Sequence, residues 1–383
     1  MGADRAVAAT AIRRGHGMKL GTPRWWYVHR GAPMPITRAL LIPMSWIWAA
    51  VTARKLATRI ATDPGIPVIC VGNVTVGGTG KTPVVRELLM RLAAHGVTAH
   101  GLSRGHGGQL KGPIQVDPTR HSAKDVGDEP MMLAGDLPIW ISKNRLEGAR
   151  AAAAKGAQIV VMDDGHQNPS VAKALSLVVV DGETRDDEWP FGDGAVFPAG
   201  PMREPLKAGL SRAEAVVLLM PQDLAQPDAA LLALLAPTPV LVAWLEPVAA
   251  LAKATKVLAF AGIGKPWKFE RALKAAGIDV SDFAAFADHQ PYDEATLWVL
   301  ERQAAEAGAI LLTTEKDWAR LPLEWQAKVR SWPVRARFED EAALDALLAT
   351  ILPKARSSQY HADGSHPASG SGRPPRKRGP APS

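Results

Sequence analysis

Thr75-Val-Gly-Gly-Thr-Gly-Lys-Thr82 is the stretch on which the reading of this chain turns. An apolar run, Val68–Val71, precedes it, and a segment with Val84, Leu88, Leu89 and Leu92 at helical spacing follows from Pro83 to His95. Strand, glycine-rich turn and helix N-terminus in that order form a phosphate cradle. Gly77, Gly78 and Gly80 let backbone N–H groups turn toward an anion without Cβ clashes. Lys81 can reach the β- and γ-phosphates, the Thr82 hydroxyl can ligate Mg²⁺, and the following helix aims its positive end at the same point. Pro83 suits a first helical turn, where its missing N–H has no intrahelical partner to lose. The first position of the consensus is Thr75 rather than glycine. Nucleotide contacts are therefore expected from Thr75, Val76, Gly77, Gly78, Thr79, Gly80, Lys81 and Thr82.

Working outward, short apolar runs alternate with helical segments as far as about Leu245. Strands are expected at 97–102, 159–162, 177–180, 215–219 and 240–244, with an Ala-rich helix at 146–155. Continuous apolar strands separated by helices imply a mainly parallel sheet covered on both faces, an α/β fold of the P-loop NTPase type. The strand ending at Asp163-Asp164 supplies the carboxylates such a loop needs for Mg²⁺. A second, smaller α/β alternation follows. It has strands at 257–261 and 310–312 and helices at 268–276, 294–307 and 341–352. The expected organisation is an N-terminal extension (1–23), a Trp-rich helical region (24–60), the P-loop domain (61–250), a smaller α/β domain (251–354) and a disordered basic tail (355–383). Met18 is a plausible alternative start.

The bulk composition sets bounds on partners. The chain has 383 residues, 47% of them hydrophobic, which suffices for two domains. Its net charge of +7 is partly due to Arg373, Arg376, Lys377 and Arg378 in the tail, and the folded part carries no nucleic-acid recognition motif. The lone Cys70 rules out an intrachain disulfide and lies in an apolar run, so it reads as packing. Trp25, Trp26, Tyr27, Trp46 and Trp48 crowd one region around an apolar stretch, 39–53, flanked by Arg38, Arg54 and Lys55. Fifteen residues interrupted by Pro43 fall short of the roughly 20 that cross a bilayer, but indoles and flanking cations suit a helix lying among headgroups. A buried core helix is the alternative.

Further motifs carry a resemblance. They are Val71-Gly-Asn-Val-Thr-Val-Gly-Gly-Thr-Gly-Lys-Thr-Pro83, Ser103-Arg-Gly-His-Gly-Gly108, Asp125-Val-Gly-Asp-Glu-Pro130, Asp163-Asp-Gly165 with Gln167, and Pro198-Ala-Gly-Pro-Met-Arg-Glu-Pro205. Phe260-Ala-Gly-Ile-Gly264, Ala287-Asp-His289 and Thr313-Thr-Glu-Lys-Asp317 follow in order. Across residues 20–350 the chain resembles the tetraacyldisaccharide 4′-kinases, the lipid A 4′-kinases of Gram-negative bacteria, in which a threonine at the loop's first position is usual. The resemblance implies two α/β domains with a cleft between them and a helix on the cytoplasmic face of the inner membrane. It also implies ATP and Mg²⁺ as cofactors, and a lipid A disaccharide precursor as phosphoryl acceptor. Asp128 is then the base that takes the acceptor proton, His289 its support from the second domain, and Glu129 a neighbour near metal or substrate. Ser103, Arg104, Gln167, Arg203 and Glu204 become candidate phosphate or sugar contacts. One departure stands out: the family's Asp-Asp-Gly-Phe-Gln-His reads Asp163-Asp-Gly-His-Gln-Asn168 here. A GTP-hydrolysing P-loop protein is the competing class, but its Asn-Lys-x-Asp signature is absent from the sequence. A membrane-associated nucleotide-binding protein without an acceptor would leave Asp128 and His289 unexplained.

Overall fold

The computed structural model describes residues 23–28, 34–248, 251–252 and 254–352. The expected extension, alternative start and basic tail lie outside these residues.

Nine strands form the large sheet: β1 (Val68–Gly72), β2 (Ala99–Ser103), β3 (Ile114–Gln115), β4 (Ile139–Ile141), β5 (Ile159–Asp163), β6 (Leu175–Asp181), β7 (Ala215–Met220), β8 (Val240–Pro247) and β13 (Val334–Phe338). Their order is β13-β8-β7-β6-β1-β5-β2-β4-β3, and every pairing from β8 to β4 is parallel. Only the two edges are antiparallel. All five residues of β1 are buried because helices cover both faces. Ile69 and Val71 pack toward the Lys81–Ala94 helix and its Val84 and Leu88, whereas Val68 and Cys70 pack toward Ala149 and Ala152 of the Arg145–Ala154 helix. That two-sided burial is why the strand reads as an unbroken apolar run.

The smaller sheet is all parallel, in the order β10 (Asp279–Ala285), β9 (Lys256–Ala261), β11 (Ile310–Thr314), β12 (Arg330–Trp332). It ends earlier than the sequence reading put it. After β12 the chain returns: β13 pairs with β8, and Leu344, Leu348 and Ile351 join the core of the large sheet. Residues 334–351 therefore pack with the P-loop domain, not with the unit expected to run to 354. The two units are tied together by a charged strap. Lys265 Nζ lies 3.0 Å from Asp181 Oδ2 and 2.5 Å from Glu188 Oε1, and Lys268 also meets Asp181. Burial would raise Asp181, but these two ammonium groups outweigh it and hold the carboxyl well below its usual range.

The N-terminal helix also differs from expectation. It runs unbroken from Pro35 to Thr58, 24 residues, straight through Pro43. By length and composition it is long and apolar enough to cross a membrane. Ser45 is its sole buried residue, while Ile36, Leu40, Trp46, Ile47 and Val51 are all exposed, which removes the core-helix alternative. Its attachment to the domain is small. The Ser45 hydroxyl accepts the Ala199 N–H at 3.1 Å, Trp48 Nε1 donates to the Arg203 carbonyl at 3.1 Å, and the Trp48 ring meets Phe197 edge-on.

Candidate active site

The phosphate loop closes at Gly80, whose φ of 79° belongs to the left-handed region and whose Cβ, if present, would fall 2.5 Å from Leu219 Cδ1. The helix begins at Lys81, two residues before the expected start, so Thr82 and Pro83 both lie in its first turn. The loop is braced from below: Val76 N–H donates to the Pro201 carbonyl at 2.7 Å, and the Tyr27 hydroxyl donates to the Val76 carbonyl at 2.7 Å. Lys81 Nζ rests 3.6 Å from Asp164 Oδ1, and Thr79 Oγ1 is buried without a hydrogen-bond partner among the described residues. The smaller domain reaches over this loop, since a Cβ on Gly264 would lie 3.5 Å from the Gly78 nitrogen.

Asp163 ends β5 beside Val71, 3% exposed, and its Oδ1 likewise lacks a partner among the described residues. Burial, then the nearby Glu129 charge, push its pKa up to about 7 despite Lys81. A buried, unpartnered carboxylate beside a second carboxylate is what a hard dication relieves, so Thr82, Asp163 and Glu129 fit Mg²⁺. Among the described residues no three His, Cys, Asp or Glu side chains cluster tightly enough to hold a metal by themselves. That suits an ion that takes its remaining ligands from nucleotide and water. Asp164 is held low: burial would raise it, but Lys81 and Arg203 outweigh that effect.

Asp128 opens the helix Asp128–Leu133, after Gly127 at φ 96°, where a Cβ would collide with the His106 carbonyl at 2.5 Å. Its Oδ2 lies 2.9 Å from His289 Nδ1, and Arg320 Nη1 is 3.5 Å away. The sequence-expected carboxylate–histidine pair is thus assembled between residues 161 positions apart. His289 sits in the left-handed region at φ 58°, its N–H donating to the Gly262 carbonyl at 3.1 Å. Burial would raise the Asp128 pKa, but the His289 hydrogen bond and the Arg320 and Lys316 charges outweigh it, leaving an ionised carboxylate able to accept a proton. Glu129 pairs with Lys316 at 3.2 Å.

The remaining candidates separate. Arg203 Nη1 donates to Asp164 Oδ1 at 2.8 Å and approaches Gln167 Oε1 at 3.3 Å, so both join the donor side of the cleft. Glu204 does not: it is 2% exposed and held by both Nη2 contacts of Arg212, at 2.6 and 2.7 Å. With that pairing and the Gln167 amide at 3.0 Å, Glu204 is structural, a correction to its reading as a substrate contact. Ser103 is buried at the end of β2, and the adjacent Arg104 is exposed. His166 is fully buried, its ring nitrogens 3.2 Å from Ser176 Oγ and 2.8 Å from the Gly209 carbonyl. It is a repacked core residue, not a displaced ligand. Asn168 caps a local turn through Ser170.

The sequence profile of the tetraacyldisaccharide-1-P 4′-kinases matches residues 37–353. The chain belongs to the tetraacyldisaccharide-1-P 4′-kinase family. A relative from Caulobacter sp. (strain K31) named tetraacyldisaccharide 4′-kinase is 63% identical over 334 residues, covering 87% of this chain and 99% of the relative. One of the same name from Phenylobacterium zucineum (strain HLK1) is 64% identical over 331 residues, 86% of this chain and 99% of its own. A crystal structure of LpxK from Aquifex aeolicus in complex with ATP superposes with a TM-score of 0.65 at 27% identity, covering 82% of this chain and 99% of that one. Within this 4′-kinase fold, Lys316, Arg320 and Tyr27 touch the site but escaped the sequence reading. Lys316 lies in the short helix Glu315–Trp318 and Arg320 in the turn that follows it, just after the Thr313-Thr-Glu motif that the sequence already offered.

Proposed function

We propose that this protein transfers the ATP γ-phosphoryl group to the 4′-hydroxyl of a tetraacylated glucosamine disaccharide 1-phosphate, a step of lipid A biosynthesis. The observation that carries the reading is the 2.9 Å Asp128–His289 contact, made with the smaller domain, whose Gly264 also approaches Gly78 of the phosphate loop. A sugar hydroxyl has a high pKa, so a positioned carboxylate must take its proton as the bond to phosphorus forms. Asp128 has that role, and His289 orients it; Lys81 and the loop N–H groups hold the donor and neutralise developing charge. Thr82, Asp163 and Glu129 would hold Mg²⁺, which would supply positive charge to offset the negative charge of the nucleotide's phosphates. Arg203 and Gln167 line the donor side, and Arg104 is available to an anionic substrate.

The exposed apolar helix Pro35–Thr58 supports attachment to the inner membrane, with the active site on the cytoplasmic side where ATP is found. Its 24 residues also permit insertion, more than a surface position alone. The decisive experiment is incubation with labelled ATP, Mg²⁺ and the tetraacyl disaccharide 1-phosphate. A new 4′-phosphate on the lipid is expected; ATP or GTP hydrolysis without lipid phosphorylation would refute the reading.

A further inference from the structure

Lys316 connects the Asp128–His289 pair with Glu129. Its Nζ lies 3.2 Å from Glu129 Oε1, 3.2 Å from His289 Nε2 and 3.8 Å from Asp288 Oδ1. The backbone around it is fixed by its neighbours. Glu315 forms a two-pronged pair with Arg86, at 2.8 and 2.6 Å, on the helix that Lys81 begins. Asp317, fully buried, accepts from the Tyr292 hydroxyl at 2.9 Å, the Gly262 N–H at 3.1 Å and the Thr314 hydroxyl at 2.6 Å. Folding is thus served by Glu315 and Asp317, and the Lys316 ammonium is left pointing into the cleft. Lys265 and Lys268 differ, since their carboxylate partners lie in the strap outside the site.

Glu129 feels two cations, Lys316 and Lys81, which approach from the two domains. The transferring phosphoryl group must pass between the loop that Lys81 closes and the base Asp128, next to Glu129. We infer that Lys316 is a further catalytic residue, a cation that the smaller domain delivers to the γ-phosphoryl oxygens. The inference rests on the kinase reading with Asp128 as base. As the acceptor oxygen bonds to the γ-phosphorus, the bond to the β–γ bridging oxygen breaks, its electron pair leaves with ADP, and the acceptor proton goes to Asp128. Lys316 transfers no proton. It exchanges Glu129 for an equatorial phosphoryl oxygen, where negative charge is spread in the transition state.

The test compares Lys316→Met, Lys316→Gln, Lys316→Arg and Asp128→Asn in the full-length protein, with ATP, Mg²⁺ and the lipid acceptor in detergent micelles. Removing the charge in K316M or K316Q should lower kcat by about 10²–10³-fold. ADP affinity should stay within about threefold, while affinity for ADP with aluminium fluoride, a mimic of the transferring phosphoryl group, falls about as far as kcat. K316R should recover at least about tenfold, since the charge is kept. Equal loss of ADP and ADP–aluminium fluoride binding, or K316R as slow as K316M, would overturn the inference and leave Lys316 a structural residue. Undiminished transfer by D128N would instead refute the base assignment, whatever K316M does.

Discussion

The phosphate loop is continuous in the chain, whereas the acceptor half of the cleft is gathered from separate segments. Residues 75–82 form one continuous stretch, a loop braced by Pro201 and Tyr27 and the first turn of the helix that follows β1. Asp128, His289, Lys316 and Arg320 come from three places and meet only because the smaller sheet docks over the larger. A binding site can be built locally. A site that must wait for two substrates gains from being completed by domain closure, which keeps the base from acting on water before the acceptor arrives.

Breaking the phosphate loop should cost both turnover and binding. Lys81→Ala should reduce kcat by about 10²–10³-fold or more and weaken ATP binding as well, measured by initial rates and equilibrium titration. Unchanged ATP affinity would mean that the loop holds phosphate without its lysine. Next comes the brace between the halves. Arg86→Leu leaves Glu315 without its partner beneath Lys316, and because the pair is only partly buried the cost should be about 2 kcal/mol, below that of a fully buried pair. A urea midpoint equal to wild type would show that the pair does not hold the domains together.

Smaller effects sharpen the contrast at its margins. Replacing the exposed Trp46 and Ile47 together by serine should lower affinity for anionic vesicles by about tenfold or more, since each large apolar side chain contributes on the order of 1 kcal/mol or more on burial. Vesicle sedimentation that is indifferent to the change would remove this helix as the anchor. Beneath the donor half, burial and then the Arg212 charge depress His166 from 6.5 to about 4. The unfolded chain therefore binds a proton below about pH 6.5 that the folded chain refuses until about pH 4. Stability is full above pH 6.5 and falls as the pH drops toward 4, by about 2 kcal/mol at pH 5. His166→Phe should flatten that slope; identical slopes would show that His166 is not buried neutral.

Legibility in the sequence followed the same division. The central strands were readable because burial on both faces makes them continuous apolar runs. By contrast, β13 alternates exposed Arg335 and Arg337 with buried Ala336 and Phe338, and β10 is an edge strand with exposed Asp279 and Asp282. Neither carries the unbroken apolar run of a central strand, and with no strand expected at 334–338 the smaller domain was carried on to 354. The N-terminal helix was read short because Pro43 removes one backbone bond, yet the turns on either side keep their own and the helix continues. In the site, a contiguous loop carried its own signature. Asp128 and His289 became readable only through family resemblance, because nothing local links residues 161 positions apart. Glu204 was misread because a glutamate beside an arginine looks like a polar contact, and only the fold reveals that Arg212 has taken it.

If Asp128 and His289 act as one unit across the cleft, a double-mutant cycle will show it. With phosphoryl transfer measured under single-turnover conditions, Asp128→Ala alone should slow transfer by about 10²–10⁴-fold. Adding His289→Ala should slow it little further, because the histidine works through a carboxylate already removed. Losses that multiply in the double variant would make the two residues independent and rule out a coupled pair.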